Sequence, residues 1–416
     1  MEFFVSTLLF GISVGGQYAL IAIGYTMVYG ILRLINFAHG DVFMVAGLLG
    51  IYLSSFLSAY LPPAAVIPVS LLLVLALTVA LGFCIERAAY KPLRSAPRMS
   101  VMISAIGVSY LLQNSATYIT GGQPMTYPSI PFLSDTISLA GTSIKWVVIL
   151  TPFLVAALVL VLTQLINHTK VGMAMRAVAK DFETSQLMGI KINSVISVTF
   201  VIGSALAAVG SMLYFTTYPA IVPTAGAMPG LKAFVAAVFG GIGSIPGAVI
   251  GAFLIGICEN FVKIMPFDGA TTFVDAFTFA LLIIILVFKP TGLFGEKATD
   301  KVQGGNDDMI QDRKSKKGAA AGLIFAAVVL VLVVLLENLS SLLPSVPAVL
   351  QPTSQLFTVL KKGAVYSLVA VSMNLLNGFT GLFSLGQAGF MLLGAYTYAI
   401  LTVPVSAKDS VYYLYG

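Results

Sequence analysis

Long apolar stretches recur along the whole chain, and they limit its fold more than any other feature. Each is about 20 residues long, enough for a helix to cross the hydrocarbon core of a bilayer. At that depth the backbone must satisfy its own hydrogen bonds, so only helices and closed barrels can span. The stretches are rich in Gly, Ala and Leu and lack the alternating pattern of barrel strands. The sequence therefore predicts an all-α polytopic membrane protein.

Composition and charge placement agree with this class. Of 416 residues, 58% are hydrophobic and 9% are charged, whereas about a quarter of the residues of a soluble domain are charged. The net charge of +6 lies in short loops between apolar stretches, where basic residues set orientation. We therefore expect a lipid bilayer and no nucleic acid as a partner. Cys84 and Cys258 lie inside apolar stretches and fit neither a disulfide framework nor a zinc site.

Three basic segments predict the orientation. Residues 86–98, 167–191 and 297–317 concentrate Lys and Arg, so we place them in the cytoplasm. Counting crossings from them puts the amino terminus outside and predicts about seven spans within residues 1–295. The predicted spans are residues 4–31, 37–58, 66–85, 101–120, 146–166, 194–214 and 273–288.

Residues 230–262 need a different interpretation. As one helix at about 1.5 Å per residue, this segment would exceed the hydrocarbon core of about 30 Å by more than half. Helix-breaking residues interrupt it: Gly240, Gly241, Gly243, Pro246 and Gly247. We predict a re-entrant hairpin of two helical pieces, with these glycines as candidate moving parts of a passage. The alternative is one long tilted helix whose small residues allow close packing.

The second half of the chain repeats the first. The stretch that begins at Gly15, "GGQYALIAIGYTMVYG", aligns with the stretch that begins at Gly363, "GAVYSLVAVSMNLLNG". Further along the same alignment, Ser384 is aligned with Asn36 and Gln387 with His39. We predict a parallel repeat, with a cytoplasmic linker at 296–317 and a second copy at 318–416 of about three spans. This second copy is truncated relative to the first.

One polar cluster interrupts the apolar pattern. The stretch "INFAHGDVFM" places Asn36, His39 and Asp41 at the cytoplasmic start of the second span. Polar groups are costly in lipid, so they should face the bundle interior or water. We predict a passage or gate whose candidate residues, besides the hairpin glycines, are Tyr25, Asn36, His39, Asp41, Gln113, Ser384 and Gln387. Alternatively, Asn36 and Asp41 cap a helix and His39 binds a loop carbonyl.

Other polar groups within apolar stretches are few. Lys232, Glu259 and Asp275 lie near the ends of theirs, so we expect them to reach the headgroup region. Three amides either line a route for a zwitterion or tie helices together; they are Gln17, Gln113 and Asn114.

The basic loop at 170–191 is amphipathic. Its apolar residues alternate with charged ones, which predicts a short helix or a helix pair that ends at Gly189. Such an element either lies on the lipid surface or forms a docking site for a cytoplasmic motor.

These motifs, taken in order, resemble the permease subunits of bacterial branched-chain amino-acid ABC importers. The segments "ERAAYKPLR", "RAVAKDFETSQLMGI", "VFGGIGSIPGAVIGA" and "FKPTGLFG" resemble the first permease over residues 1–295. Residues 318–416, with "NLLNGFTGLFSLGQAGFMLLGAY", resemble the amino-terminal part of the second permease. The resemblance implies a multi-pass protein of the bacterial inner membrane that carries branched-chain amino acids into the cytoplasm.

The same resemblance implies the partners. They are two cytoplasmic ATPase subunits, a periplasmic or extracellular substrate-binding protein, and a second permease chain or the remainder of the second copy. The coupling loop to the ATPases would comprise Arg176, Ala177, Lys180, Asp181, Glu183 and Gly189. The sequence lacks the GxxxxGK[ST] phosphate loop, so we expect partner subunits to use the ATP. We expect no catalytic residue, bound cofactor or metal in this chain.

Two other functions fit the same features. One is an ABC permease for urea or short amides, and the other is an ion-coupled carrier or channel that does not use ATP. A membrane enzyme fits less well, because His39 and His168 have no metal-ligating neighbours in the sequence.

Overall fold

The computed structural model describes residues 2–94, 96, 98–139, 142–266, 269–295, 354–374 and 386–402. The chain divides into two units, Met1–Thr299 and Asp300–Gly416. The long helices of the first unit are α1 (Glu2–Leu32), α2 (His39–Leu57), α3 (Pro63–Ile85), α4 (Arg98–Thr120), α6 (Trp146–His168), α9 (Ile192–Thr217), α10 (Ala227–Gly240), α11 (Ile245–Lys263) and α12 (Val274–Phe288). Its short helices are α5 (Pro131–Ser134), α7 (Lys170–Lys180) and α8 (Phe182–Leu187).

Six helices among the described residues are long and apolar enough to cross a membrane. They are α1, α2, α3 with its extension to Leu93, α6, α9 and α11. The prediction of an all-α polytopic membrane protein is therefore confirmed. Two predicted spans fall outside this set, since α4 is less apolar and α12 has 15 residues. The count of about seven spans and the domain limits stay predictions.

Helix α1 forms the centre of the first unit. Its most apolar window is 67% buried, whereas the windows of α3 and α6 are 22% and 28% buried. Helices α6, α9, α10 and α11 all pack against it. The outer helices carry exposed apolar side chains such as Leu72, Leu160 and Val287. A bundle buried at its centre and apolar at its surface fits a lipid environment.

Helices α1 and α11 contact each other through their backbones. A Cβ atom on Gly11 would lie 2.8 Å from the Cα atom of Ile257, and one on Gly15 would lie 2.7 Å from that of Phe253. Gly256 faces the same contact from α11. Small residues allow such close approach in membrane bundles, where packing replaces the hydrophobic effect as the driving force.

Helices α10 and α11 form an antiparallel hairpin. Gly240 lies opposite Gly247, and Ala236 lies opposite Gly251. The turn between them needs glycine, because Gly241 and Gly243 have φ values of 109° and 97°. The Ser244 side chain accepts a hydrogen bond from the Gly247 amide at 3.2 Å and so caps α11. This excludes a single continuous tilted helix.

Two small sheets lie in segments predicted to be outside. Strand β1 (Met125–Thr126) pairs with β4 (Ala220–Ile221), and β2 (Thr136–Leu139) pairs with β3 (Thr142–Lys145), both antiparallel. The sequence analysis did not predict them. The first pair links the chain after α4 to the chain after α9.

The second unit is described in two helices, α13 (Ser354–Asn374) and α14 (Gln387–Thr402). Gln387 begins α14, and its aligned residue His39 begins α2, which supports the predicted repeat. Ser384 and the linker predicted at 296–317 lie outside the described residues.

We predict that Gly256→Ala destabilises the protein by about 1–3 kcal/mol, because the added Cβ would overlap the backbone of α1 at Gly15. The measurement is the melting temperature of the purified chain in detergent. Gly107→Ala in α4 is the control, since no atom lies within 4 Å of the added Cβ. Equal melting temperatures for the two variants would contradict the backbone contact.

Candidate functional site

The polar cluster lies inside the bundle. The His39 side chain packs against Gly24 of α1, and Gly24 precedes the end of α1 at Leu32 by about two helical turns, or about 12 Å. The imidazole meets the Tyr25 ring edge-on, with centroids 5.0 Å apart. A Cβ on Gly24 would overlap the imidazole. The start of α2 is therefore enclosed by other helices.

Asn36 connects the loop before α2 to the end of α3. Its Oδ1 accepts a hydrogen bond from the Tyr90 hydroxyl at 2.8 Å, and both residues are buried. Tyr90 lies in the π-helical extension Glu86–Tyr90. In the same segment the buried Glu86 pairs with Arg94 and accepts a hydrogen bond from Ser197 at 2.8 Å. The "ERAAYKPLR" motif thus contacts the polar cluster through the hydrogen bond from Tyr90 to Asn36.

Asp41 connects α2 to α4. Its carboxylate accepts hydrogen bonds from Ser109 at 2.5 Å and from Gln113 at 3.0 Å. The capping interpretation of Asn36 and Asp41 is wrong, because α2 has Ala38 at its N-cap and no side-chain cap. Both side chains instead satisfy partners on other helices, which removes the cost of burying them.

Aromatic rings connect this cluster to the hairpin. Tyr25 and Phe37 both pack against Phe234 of α10, with centroid distances of 5.9 and 6.4 Å. Gly40 and Gly230 are in backbone contact. The space beside Tyr25 and Phe234 is about 10 Å³, room for about one water molecule.

The candidate glycines of the hairpin lie at its turn. The backbone of Gly240 accepts a hydrogen bond from the Phe294 amide at 2.9 Å, and Gly241 packs against Gly295. Gly30, near the end of α1, is the neighbour of Gly243. The turn therefore meets the "TGLFG" segment after α12. Gln387 belongs to the second unit.

The structure contains a charge cluster that the sequence pattern did not predict. Lys232 pairs with Glu259 at 2.8 Å and with Asp275 at 2.8 Å, and Lys263 lies 3.6 Å from Glu259. The side chains of Lys232 and Glu259 are only 9% and 5% exposed. The prediction that Lys232 and Glu259 reach the headgroup region is therefore wrong. The sequence did indicate this ion pair, since the two helices of the predicted hairpin carry charges of opposite sign.

A cavity of about 140 Å³ opens beside this cluster. Its lining residues come from α1, from the end of α9 and from both hairpin helices; they are Val14, Tyr18, Tyr214, Tyr218, Met228, Pro229, Lys232, Glu259 and Lys263. The Tyr18 hydroxyl donates to Glu259 at 3.1 Å. Burial, and then the charge of Glu259, raise the pKa of Tyr218, so its phenol stays a neutral hydrogen-bond donor.

The loop at 170–191 folds as a helix pair, α7 and α8. Thr169 caps α7 by accepting from the Gly172 amide at 3.1 Å, and Asp181 caps α8 by accepting from the Thr184 amide at 3.0 Å. Gly189 follows with a φ of 83°, which favours glycine.

Two arginines tie this helix pair to the bundle. Arg176 donates to the carbonyl of Ile166 at 2.6 Å and to Asn167 at 3.0 Å, at the end of α6. Arg33, just after α1, donates to the carbonyl of Ala179 at 3.4 Å. Phe182 of α8 borders a cavity of about 120 Å³ together with Tyr90 and Arg94. Phe182 and Tyr90 thus face the same cavity.

The fold defines a multi-pass α-helical membrane protein. The family described as "Branched-chain amino acid transport system / permease component" matches residues 7–286 and 355–413. The chain belongs to this family, the permease components of branched-chain amino acid ABC importers. The fusion of two permeases stays a prediction.

Curated relatives agree with this assignment. The chain is 42% identical to the high-affinity branched-chain amino acid transport system permease protein BraD of Pseudomonas aeruginosa over 313 residues, 72% of this chain and 98% of that protein. It is 41% identical to LivH of Escherichia coli (strain K12), with the same coverage. The ribose import permease protein RbsC of Haemophilus influenzae is 24% identical over 275 residues, 65% of this chain and 80% of that protein. No solved structure gives a significant match.

We predict that Gln113→Leu destabilises the protein by about 1–3 kcal/mol, because it removes a donor from the buried Asp41 carboxylate. Melting temperature in detergent measures this effect. Asn114→Leu is the matched control, since the exposed Asn114 amide donates to the Tyr110 carbonyl of its own helix. If both variants melted like the wild type, the link between α2 and α4 would be unsupported.

Proposed function

We propose that this chain is the permease of an ABC importer that moves branched-chain amino acids into the cytoplasm. One observation carries the proposal: the 42% identity to a branched-chain amino acid permease over 98% of that protein's length. The separate urea and short-amide alternative has no such support. In this function the chain supplies the passage and has no catalytic centre, metal or cofactor, and partner subunits bind and use ATP.

The helix pair α7–α8 is the proposed coupling loop, which docks one of the two ATPase subunits. It lies in a segment whose basic charge predicts a cytoplasmic position. Leu187 and Met188 are 86% and 78% exposed, and exposed apolar side chains at a helix end favour a protein partner. The coupling-loop residues have different tasks. Arg176 holds α7 to α6 and Asp181 caps α8.

The remaining coupling-loop residues complete this surface. The Ala177 carbonyl accepts a hydrogen bond from the Asp181 amide at 3.0 Å and so shapes the corner between the helices. Lys180 and Glu183 are exposed on either side of that corner and are available to a partner. Gly189 supplies the positive φ that turns the chain back towards α9.

The proposed transmission route runs from α8 to the gate. Phe182 borders the same cavity as Tyr90, and Tyr90 holds Asn36, just before α2. Movement of α8 would therefore reach the start of α2, where His39 and Tyr25 meet Phe234 of the hairpin. In this mechanism Tyr25, Asn36, His39, Asp41 and the hairpin turn act as the moving parts.

Further partners complete the proposed importer. A substrate-binding protein outside the membrane delivers the amino acid. A second permease, either on another chain or as the remainder of the second copy with Ser384 and Gln387, forms the other side of the passage.

Uptake of labelled leucine into membrane vesicles tests the proposal. Vesicles that contain this chain, its ATPase subunits and its binding protein should accumulate leucine only with internal ATP. Uptake that persisted without nucleotide and followed an ion gradient would replace the ABC mechanism with an ion-coupled carrier. Uptake of urea in place of leucine would replace the substrate class.

We predict that Leu187→Glu lowers co-purification of the ATPase subunits with this chain by about tenfold, because a charge would enter an apolar contact. The measurement is the ATPase-to-permease ratio after affinity purification. Tyr60→Glu is the control, since Tyr60 is also exposed, at 72%, but lies near the end of α2 predicted to be outside. Wild-type yield after combined replacement of Arg176, Asp181 and Gly189 would show the docking role to be wrong.

A further inference from the structure

We propose that the cavity beside Glu259 is a transient binding site for the zwitterionic amino acid on its route through the protein. The proposal rests on the proposed function and adds the site to it. The cavity of about 140 Å³ brings two lysines, one glutamate and three tyrosines together with Val14, Met228 and Pro229. It therefore presents both signs of charge and an apolar wall in one space.

The charges match the two ends of an amino acid. Within the cluster, Glu259 is held tightly by Lys232 at 2.8 Å and loosely by Lys263 at 3.6 Å. Asp275 also holds Lys232 at 2.8 Å, so Lys232 remains neutralised if Glu259 accepts another cation. The substrate ammonium group binds Glu259, and its carboxylate binds Lys263 and a tyrosine hydroxyl. Both ends then form charge-assisted hydrogen bonds.

The neutral total charge of the cluster explains why it favours a zwitterion. Two cations and two anions balance, so the empty site keeps its charges paired. A zwitterion exchanges partners with the cluster and leaves no charge unpaired. A plain amine or a plain carboxylate would leave one group without its counterion, which costs affinity.

Size and position also fit this role. A cavity of about 150 Å³ holds a six-membered ring, and this one is partly open, so a branched aliphatic side chain can extend along Val14 and Met228. Val14 and Tyr18 lie near the middle of α1, and Lys263 is the last residue of α11. The site thus extends from the middle of the bundle towards the end predicted to face outside. The ring contact of Tyr25 and Phe234 lies beyond it.

Glu259→Gln tests the site while preserving the shape of the side chain. We expect leucine uptake by the complete importer in vesicles to fall by about tenfold or more, as for loss of one charge-assisted contact. Asp135→Asn is the matched control: it neutralises an exposed carboxylate in the segment predicted to be outside, and Asp135 does not line the cavity. We expect its uptake to stay within about twofold of the wild type.

A binding measurement separates recognition from structural support. Leucine should raise the melting temperature of the purified wild-type chain, whereas 4-methylpentanoate and 3-methylbutylamine, which each carry one charge, should not. Glu259→Gln should lose the leucine effect. If Glu259→Gln does not fold, Met228→Trp fills the cavity without changing an ion pair and should lower leucine uptake equally.

Each outcome decides between the two proposals. If Glu259→Gln or Met228→Trp kept wild-type uptake and the leucine effect, or if the singly charged compounds acted like leucine, the binding site would be wrong. If Asp135→Asn lost as much uptake as Glu259→Gln, the loss would not come from the cavity, and the binding site would be wrong. If the wild-type importer took up no leucine but its chain still bound it, the proposed function would fail and the site would stand.

Discussion

The structure depends on backbone contact between the central helix α1 and its neighbours. Gly11 and Gly15 let α11 approach until the two backbones touch, and Gly24 leaves the space that His39 occupies. In a bilayer, packing of this kind holds helices together, because moving apolar surface out of contact with lipid gains little free energy. The same glycines decide where polar groups lie. Contact along α11 brings Glu259 to Tyr18, and contact at Gly24 brings the start of α2 inside the bundle.

Buried polar groups in this protein join separate elements. Asn36 reaches Tyr90, Asp41 reaches Gln113, and Lys232 reaches Glu259. Each contact satisfies groups that would be costly alone in a low-dielectric interior. In the proposed binding site, the charge cluster can exchange its partners, because a zwitterion offers it equivalent ones.

Local features were predictable from the sequence. The limits of the long helices followed from the length of the apolar stretches. The break of the hairpin was predicted at its glycines, and Gly241 and Gly243 adopt positive φ there. The helix pair α7–α8 followed from its amphipathic pattern and ends at Leu187, two residues before the predicted Gly189. The predictions that failed concerned polar partners. Asn36 and Asp41 were interpreted as possible caps because they lie near the start of a helix. Lys232 and Glu259 were expected to reach the headgroups because they lie near the ends of apolar stretches.

The sequence by itself determined that the chain is a helical membrane protein and where most of its helices begin and end, and it predicts which loops face the cytoplasm. These properties depend on residues close together in the chain, through hydrophobic length, glycine and proline positions and loop charge. Only the tertiary structure decided which polar groups meet. Glu259 accepts a hydrogen bond from Tyr18, 241 positions away in the sequence, and Asp41 accepts one from Gln113, 72 positions away. Such partners depend on how whole helices pack, because the packing decides which groups lie within hydrogen-bonding distance of a buried charge.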